Sequence, residues 1–447
     1  MVSLMRILCL PLLLGALLVA SAPHASAQSC FDSYAFATQA DLDGFPCSDV
    51  NGNILIGLAD LDSTSNIQSL VPLSELRSVT GDLTISANDS LETLTGLGSL
   101  EEVGILRVTF NDALTSFREL GPIASVGVLD VRDNGALTSL EGLETLEIAE
   151  DVTITNNDNL TSLAGLSSLQ FATETFTVSR NDNLTSLEGL EKLEAGGFFS
   201  IVANASLTSL EGLESLRASG ITLTISSNPA LTSLRGLDSL RTVSFEFFLL
   251  NNDALTSLDG LNALERTLSS AYIQRNEALT NLDALANLTS VGDELVITDN
   301  PALTDCSCGL YDLITNGGVD GPITIENNGV GCSSLAEIEP PPPGSCATAT
   351  ASEDDPLPAG IALSIFPNPA QGSARLRAEI YTPTHATLTV YDLLGRRVAT
   401  LVDGVVAEPL DVRLGALVPG TYLVRLTTQD LTAGLPATTT QRVTLLR

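Results

Sequence analysis

One residue type, returning at a nearly constant interval, sets the tightest limit on what this chain can fold into. Asn88, Asn111, Asn134, Asn157, Asn181, Asn204, Asn228, Asn252, Asn276, Asn300 and Asn328 are spaced by 23 or 24 residues at every step but the last, which is 28. A repeat of that length means a stack of similar coils, in which each coil has a core only because its neighbours supply the other half. Apolar residues fall five and three positions before each Asn, as in Leu83/Ile85, Leu129/Val131 and Phe199/Ile201. That alternation predicts a short strand with one buried face. After the Asn, apolar residues follow at every third position, as in Leu137, Leu140, Leu143 and Leu146. A step of three suits neither a long helix nor a strand. It suits a gradually turning coil that drops one side chain inward per step. Each buried large side chain contributes ~1.5–3 kcal/mol, so stacking is what stabilises the coil.

The Asn itself is read as structural. Its amide carries two donors and an acceptor, and a coil that turns sharply after each strand leaves backbone groups in need of partners. A buried unpaired polar group costs ~1–3 kcal/mol, so a column of Asn bonding backbone and one another is expected to point inward. The N-x-S/T patterns at some of these positions, such as Asn88-Asp89-Ser90, are then incidental. Glycine eight residues after the Asn (Gly142, Gly165, Gly189, Gly212, Gly236, Gly260) predicts a tight turn. Thr-Ser pairs at 115/116, 138/139, 161/162, 185/186, 208/209, 232/233 and 256/257 predict a hydroxyl ladder that satisfies turn backbone. A flat threonine array binding ice is the rival reading.

Composition then removes whole classes of function. With 54 acidic and 20 basic residues the chain carries −34, which argues against a nucleic-acid partner. Two histidines in all exclude multi-histidine metal sites, and the repeats contain no base to activate a nucleophile. No cofactor is expected, and the chain reads as not an enzyme. Asp130 and Asp133 are the nearest thing to an acid/base pair; Asp299 and Glu326, the other outward acids, lie many turns away. His385 reads as an ordinary strand residue.

The two ends read as addresses. Residues 1–27 have Arg6, an apolar run from Ile7 to Ala20, and the small residues Ala25-Ser26-Ala27, which together read as a cleaved secretory signal. Six cysteines remain after it: Cys30, Cys47, Cys306, Cys308, Cys332 and Cys346. An even set in an exported chain reads as disulfides. Cys30–Cys47 is expected at one end, and Cys306 and Cys308 are each expected to pair with one of Cys332 and Cys346. Zinc is the weaker alternative, since there is neither a CxxC pair nor a nearby His. Pro340 to Pro358 is rich in Pro, Ala, Ser, Thr and acids and reads as an extended linker, with the domain boundary drawn at 347–360. From 361 onward short alternating strands predict a small β-sandwich.

Two stretches resemble known families. Gly81-Asp82-Leu83-Thr84-Ile85-Ser86-Ala87-Asn88, followed by Leu91 and Leu94, resembles the leucine-rich-repeat consensus, and the variant looks like the receptor L-domain family. The likeness covers roughly 50–330 and implies a right-handed parallel β-helix over 28–346 with no catalytic residues. Phe366-Pro367-Asn368-Pro369, then Val390 to Arg396 with Gly395, then Pro419-Gly420-Thr421-Tyr422 to Leu426 resemble the C-terminal sorting domain of the type IX secretion system of Bacteroidota-like bacteria. That likeness covers 361–447. It implies the secretion machinery as a partner, passage through the periplasm, and delivery to the outer surface or the medium.

Aligning the repeats also shows what faces out. Four and two residues before the Asn most side chains are small and polar, but Phe248, Leu250, Tyr272 and Val296 break that rule on adjacent turns. With neighbouring strands ~4.8 Å apart these four would touch. Exposed apolar clusters with polar rims mark contact sites. The reading is therefore a mainly β surface or secreted protein that recognises or adheres to a protein or glycan. A structural envelope component is the second reading, and a polysaccharide-active β-helix enzyme the third. No transmembrane helix is expected in the mature chain.

Overall fold

The computed structural model describes residues 28–58, 65–341, 362–366, 370–371, 374–379, 384–392, 397–406, 410–414, 420–430 and 436–446. The leader reading over 1–27, the linker reading and Cys346 lie outside these residues.

The repeats form one 19-stranded parallel sheet. Successive turns pair in register: Leu83 with Leu106, Leu106 with Leu129, Leu129 with Val152, and so on to Leu295 with Ile323. Four strands of the same sheet precede the strand that leads to the first ladder Asn, Ser29–Cys30, Tyr34–Phe36, Asp49–Val50 and Ile54–Gly57, so the solenoid begins well before residue 50. In early turns one strand of eight or nine residues spans the whole side, as in Ser78–Ser86 and Ile148–Thr155. In later turns it splits into two and four residues, as in Thr242–Val243 and Phe247–Leu250.

The interior is a continuous apolar column. The residues three, six, nine and twelve after each Asn are almost all fully buried, among them Leu184, Leu187, Leu190 and Leu193. So are the two inward strand positions; Phe176 and Phe199 stack with centroids 4.8 Å apart. The every-third pattern is thus a loop that turns continuously, with brief 3₁₀ turns such as Ala164–Leu166 and Asp283–Leu285.

The Asn column is the second structural element. Asn181 is typical. Its backbone N–H and side-chain Nδ2 donate to Asn204 Oδ1 at 3.1 and 3.5 Å, and Nδ2 also donates to Ile154 O and Ser179 O at 2.9 and 3.1 Å. Its own Oδ1 accepts from Asn157 N and Nδ2. The same pattern links turn to turn from Asn88 to Asn328, each Asn donating to the Oδ1 of the Asn on the next turn. All eleven are buried; ten are fully so and Asn328 is 9% exposed. At the first end Ser65 Oγ donates to Asn88 Oδ1. At the last, Asn328 Nδ2 donates to Ile297 O and Cys332 O.

The residue before each ladder Asn has a positive φ, near 55–60° in every turn, as at Ala87, Phe110, Asp133 and Ala203. A left-handed residue ends the strand and swings the Asn inward. Non-glycine residues adopt this conformation at a cost of ~1–2 kcal/mol, a cost the ladder bonds offset. The glycine column has a different cause from a tight turn alone. Gly142, Gly189, Gly212, Gly236 and Gly260 have φ near 110°, but Gly165 does not. What all share is closeness to the preceding turn: a Cβ on Gly165 would lie 1.8 Å from Leu140 O, and one on Gly236 2.0 Å from Leu210 O.

Both ends carry disulfides. Cys30 pairs with Cys47 and Cys306 with Cys332. Cys308 is disulfide-bonded as well. Cys306 and Cys308 sit at the start of the helix Ser307–Thr315, not on an extended segment. Residues 362–446 form a three-stranded and a five-stranded sheet. Leu376 of the first and Leu388, Val390, Val424 and Leu426 of the second are fully buried.

Candidate functional site

The outward face is defined by strand register. At four before the Asn the column runs Thr84, Arg107, Asp130, Thr153, Thr177, Ser200, Thr224, Phe248, Tyr272, Val296 and Thr324, each paired with the next. Phe248 and Tyr272 stack with centroids 4.9 Å apart and planes 11° from parallel. Both are half-buried, as is Leu250 two residues on. Val296, the next residue of the column after Tyr272, departs from the sequence-based expectation: it is only 8% exposed. The patch therefore consists of Phe248, Leu250 and Tyr272.

In-register stacking sets the shape of this patch. The rings face one another, and the neighbour of Phe248 on the other side of the column is the much smaller Thr224. A column six before the Asn, which sequence reading passed over, completes the surroundings. It places Glu246 and Glu294 on the same face as Phe248 and Tyr272, and the Tyr272 hydroxyl donates to Glu294 Oε2 at 3.3 Å. Phe245 and Leu268, on adjoining turns, are 50% and 53% exposed. These were hidden in the sequence because the strand breaks between Val243 and Phe247, which suspends the alternation.

Nearer the N-terminus the same face carries ions. Asp130, 4% exposed, receives Arg132 Nε at 2.5 Å and lies 4.0 Å from Arg107 Nε, while Arg107 also bridges Asp82. The carboxylate raises the Arg132 guanidinium above its ordinary pKa. Asp133 instead accepts from Asn156 Nδ2 at 2.9 Å. Asp130 and Asp133 thus take different partners, the first two guanidiniums and the second an amide. Asp299 accepts from Asn327 Nδ2. Beside this cluster is an open hollow of about 530 Å³ lined by Tyr34, Asn53, Leu55, Asp82, Thr84 and Phe110, among others. Sequence reading missed it because Leu55 and Tyr34 precede the Asn repeat. Among the described residues, no group of three or more His, Cys, Asp or Glu is placed to hold a metal ion.

The threonine column bonds along itself. Thr138, Thr161, Thr208, Thr232, Thr256 and Thr280 each donate Oγ1 to the carbonyl of the Thr one turn back, at 3.1–3.3 Å.

At the other end of the chain, Gly420–Asp430 pairs with both Thr384–Asp392 and Pro436–Leu446, and Tyr422 is 5% exposed. Pro367, Asn368, Pro369 and Gly395 lie outside the described residues, and so does most of what surrounds them. Residues 364–433 match the family model of the secretion system C-terminal sorting domain. This tail is a sorting domain. A sorting domain of this kind marks export by the type IX system of Bacteroidota-type bacteria, to the outer surface or the medium. No curated protein matches the chain. Among the described residues no helix is long and apolar enough to cross a membrane. The sorting domain is also chemically set apart: residues 361–447 hold eight Arg and six acids, whereas the acidic excess of the chain resides before them.

Proposed function

We propose that the solenoid is a non-catalytic recognition or adhesion module, delivered to the cell surface by its sorting domain, with a secretory leader in residues 1–27 serving the first membrane. The observation that carries this reading is the Phe248–Tyr272 stack: two large rings on an otherwise small, polar sheet face, only half covered. Nothing in folding demands rings there, since the core lies on the opposite side of the same strand. Exposed aromatic surface with a polar rim is what binding sites use. The solenoid resembles a receptor L-domain in its repeat pattern, a scaffold used for binding rather than chemistry.

The test uses the full secreted chain and its Phe248→Ser/Tyr272→Ser variant. Both are tested against surface extracts by affinity capture and against a glycan array. Partners retained by the parent and lost by the variant, with unchanged circular dichroism, are the expected result. Identical capture by both would end the proposal. An envelope component that only spaces or covers is the second reading, favoured by the length of the rigid sheet; it predicts no partner for either form. A hydrolysis assay on a polysaccharide panel addresses the enzyme reading, which the guanidinium-bound Asp130 disfavours.

A further inference from the structure

We propose that the partner seated on the Phe248–Tyr272 patch is cationic: an arginine- or lysine-bearing apolar segment of a protein. This rests on the recognition reading above and names its ligand class. Three observations converge on it.

The first is the partly exposed ring. Phe248 is flanked in its column by Tyr272, which stacks on it, and by the much smaller Thr224, and the ring stays partly exposed. An aromatic face carries a negative quadrupole and attracts a guanidinium or ammonium within about 6 Å.

The second is the charge around it. Glu246 and Glu294 share the outward face, and Asp293 is adjacent and exposed. The nearby cations are already engaged: Arg241 bridges Glu265 at 3.0 Å, Arg266 lies 3.9 Å from Glu265, and Arg275 lies 3.9 Å from Asp299. Among the described residues no ion pair joins Glu246, Asp293 or Glu294 to a cation; Glu294 accepts from the Tyr272 hydroxyl and Asp293 from Ser270 Oγ. Residues 28–360 as a whole hold 48 acids against 11 basic residues, a field that draws positive partners and slows negative ones.

The third is an occupied example on the same molecule. Ile148 and Phe171 lie at an outward register position, away from the main core, yet are 8% and 4% exposed. Over the Phe171 ring, 4.7 Å from its centroid, sits Arg425 of the sorting domain. Glu194, on the next turn, has its pKa raised by burial, against which the charges of Arg425 and Arg217 act. An arginine resting on a ring beside a carboxylate is thus a contact this solenoid already makes. Phe248 with Glu246 offers the same pair of groups with the arginine still to come.

The experiment measures binding of the full chain to a synthetic peptide of alternating arginine and leucine, to its glutamine-for-arginine twin, and to a neutral oligosaccharide mixture. The proposal expects the arginine peptide to bind best. It expects roughly ten-fold weaker binding in Phe248→Leu, which keeps the apolar bulk but removes the ring face. A loss of similar size is expected in Glu246→Gln/Glu294→Gln. Affinity should fall as KCl is raised from about 0.05 to about 0.3 M. If the glutamine peptide or the oligosaccharide binds as well as the arginine peptide and is lost in Phe248→Ser/Tyr272→Ser, the patch is a binding site but its ligand is not cationic. Phe248→Leu binding the arginine peptide like the parent also overturns the cationic seat. If the arginine peptide binds every variant alike, the acidity of the whole body explains it, and both the ligand class and the patch fail.

Discussion

Phe247 and Phe248 are consecutive residues of one four-residue strand, and they face opposite worlds. Phe247 is 1% exposed and packed into the apolar column, while Phe248 is half-buried on the outer face against Tyr272. The inner side of the solenoid repeats because each turn must fit the turns above and below it. The outer side is free to vary, so whatever departs from small and polar there needs a reason other than folding. That contrast separates what maintains the fold from what the fold displays, and each substitution below either breaks it or sharpens it.

The largest effect belongs to the ladder. Asn181→Ala removes the amide that links Asn157 to Asn204. It leaves Ile154 O and Ser179 O without a side-chain donor and the Asn157 N–H without its acceptor, while Asn157 Nδ2 keeps Val131 O and Thr155 O. At ~1–3 kcal/mol per unsatisfied group, a loss of roughly 5 kcal/mol is expected, seen as a lowered urea midpoint. In a stacked array the loss also splits one cooperative unit into two, so the unfolding transition should broaden or become biphasic. A single sharp transition near the parental midpoint would show that the column is decoration.

Phe247→Ala should cost about 3–5 kcal/mol, the usual penalty for emptying an aromatic site in a core. Gly165→Ala comes next and tests a cause. Gly165 lacks the positive φ of its column mates, but a Cβ there meets Leu140 O at 1.8 Å. If close approach is what requires glycine, Gly165→Ala should destabilise by about 2–3 kcal/mol, much as Gly236→Ala does. A near-neutral Gly165→Ala beside a damaging Gly236→Ala would assign the requirement to backbone conformation instead.

The inner face was legible in sequence for the same reason that these effects are large. A column in which each Leu or Asn touches its own kind one turn away tolerates few replacements, so the period survives in the text. Register followed from it, and with register the neighbours of Phe248. Three things did not follow. Val296 is buried, and an apolar letter at an outward position does not reveal whether its surroundings cover it. The carboxylates Glu246 and Glu294 escaped because the strand break at residues 244–246 interrupts the alternation that would have placed them outside. The left-handed residues before each Asn escaped because Ala87, Phe110 and Ala203 are not types that advertise a positive φ. Their conformation is imposed by the inward pull of the ladder.

Phe248→Ser should cost about 1 kcal/mol in stability, from one lost ring pair and partial burial. The ratio between this value and that for Phe247→Ala is the sharpest measure of the contrast between faces. Equal losses would mean that the outer ring is a second core residue, and the binding reading would lose its footing.

The smallest effect lies on a third surface, the acidic column seven residues after the Asn. Glu141 there is paired with Arg118 at 2.6 Å. Farther along, Asp283 has its pKa raised, first by burial and then by Asp305 and Asp259. An acid whose pKa is raised on folding holds its proton more firmly in the folded chain than in the unfolded one. Stability therefore falls as pH rises from the ordinary carboxylate range through the raised value, and the full penalty is present at neutral pH. Asp283→Asn removes that penalty. At pH 7 and low salt the variant should be slightly more stable than the parent, by less than about 0.5 kcal/mol because much of the site is solvent-screened. The two should converge at pH 3, where the parental carboxyl is protonated in both states, and the gap at pH 7 should narrow as KCl screens the neighbouring acids. Paired urea titrations at the two pH values read this directly. An Asp283→Asn variant less stable than the parent at pH 7 would mean that the charge in this column is used by the fold rather than merely tolerated.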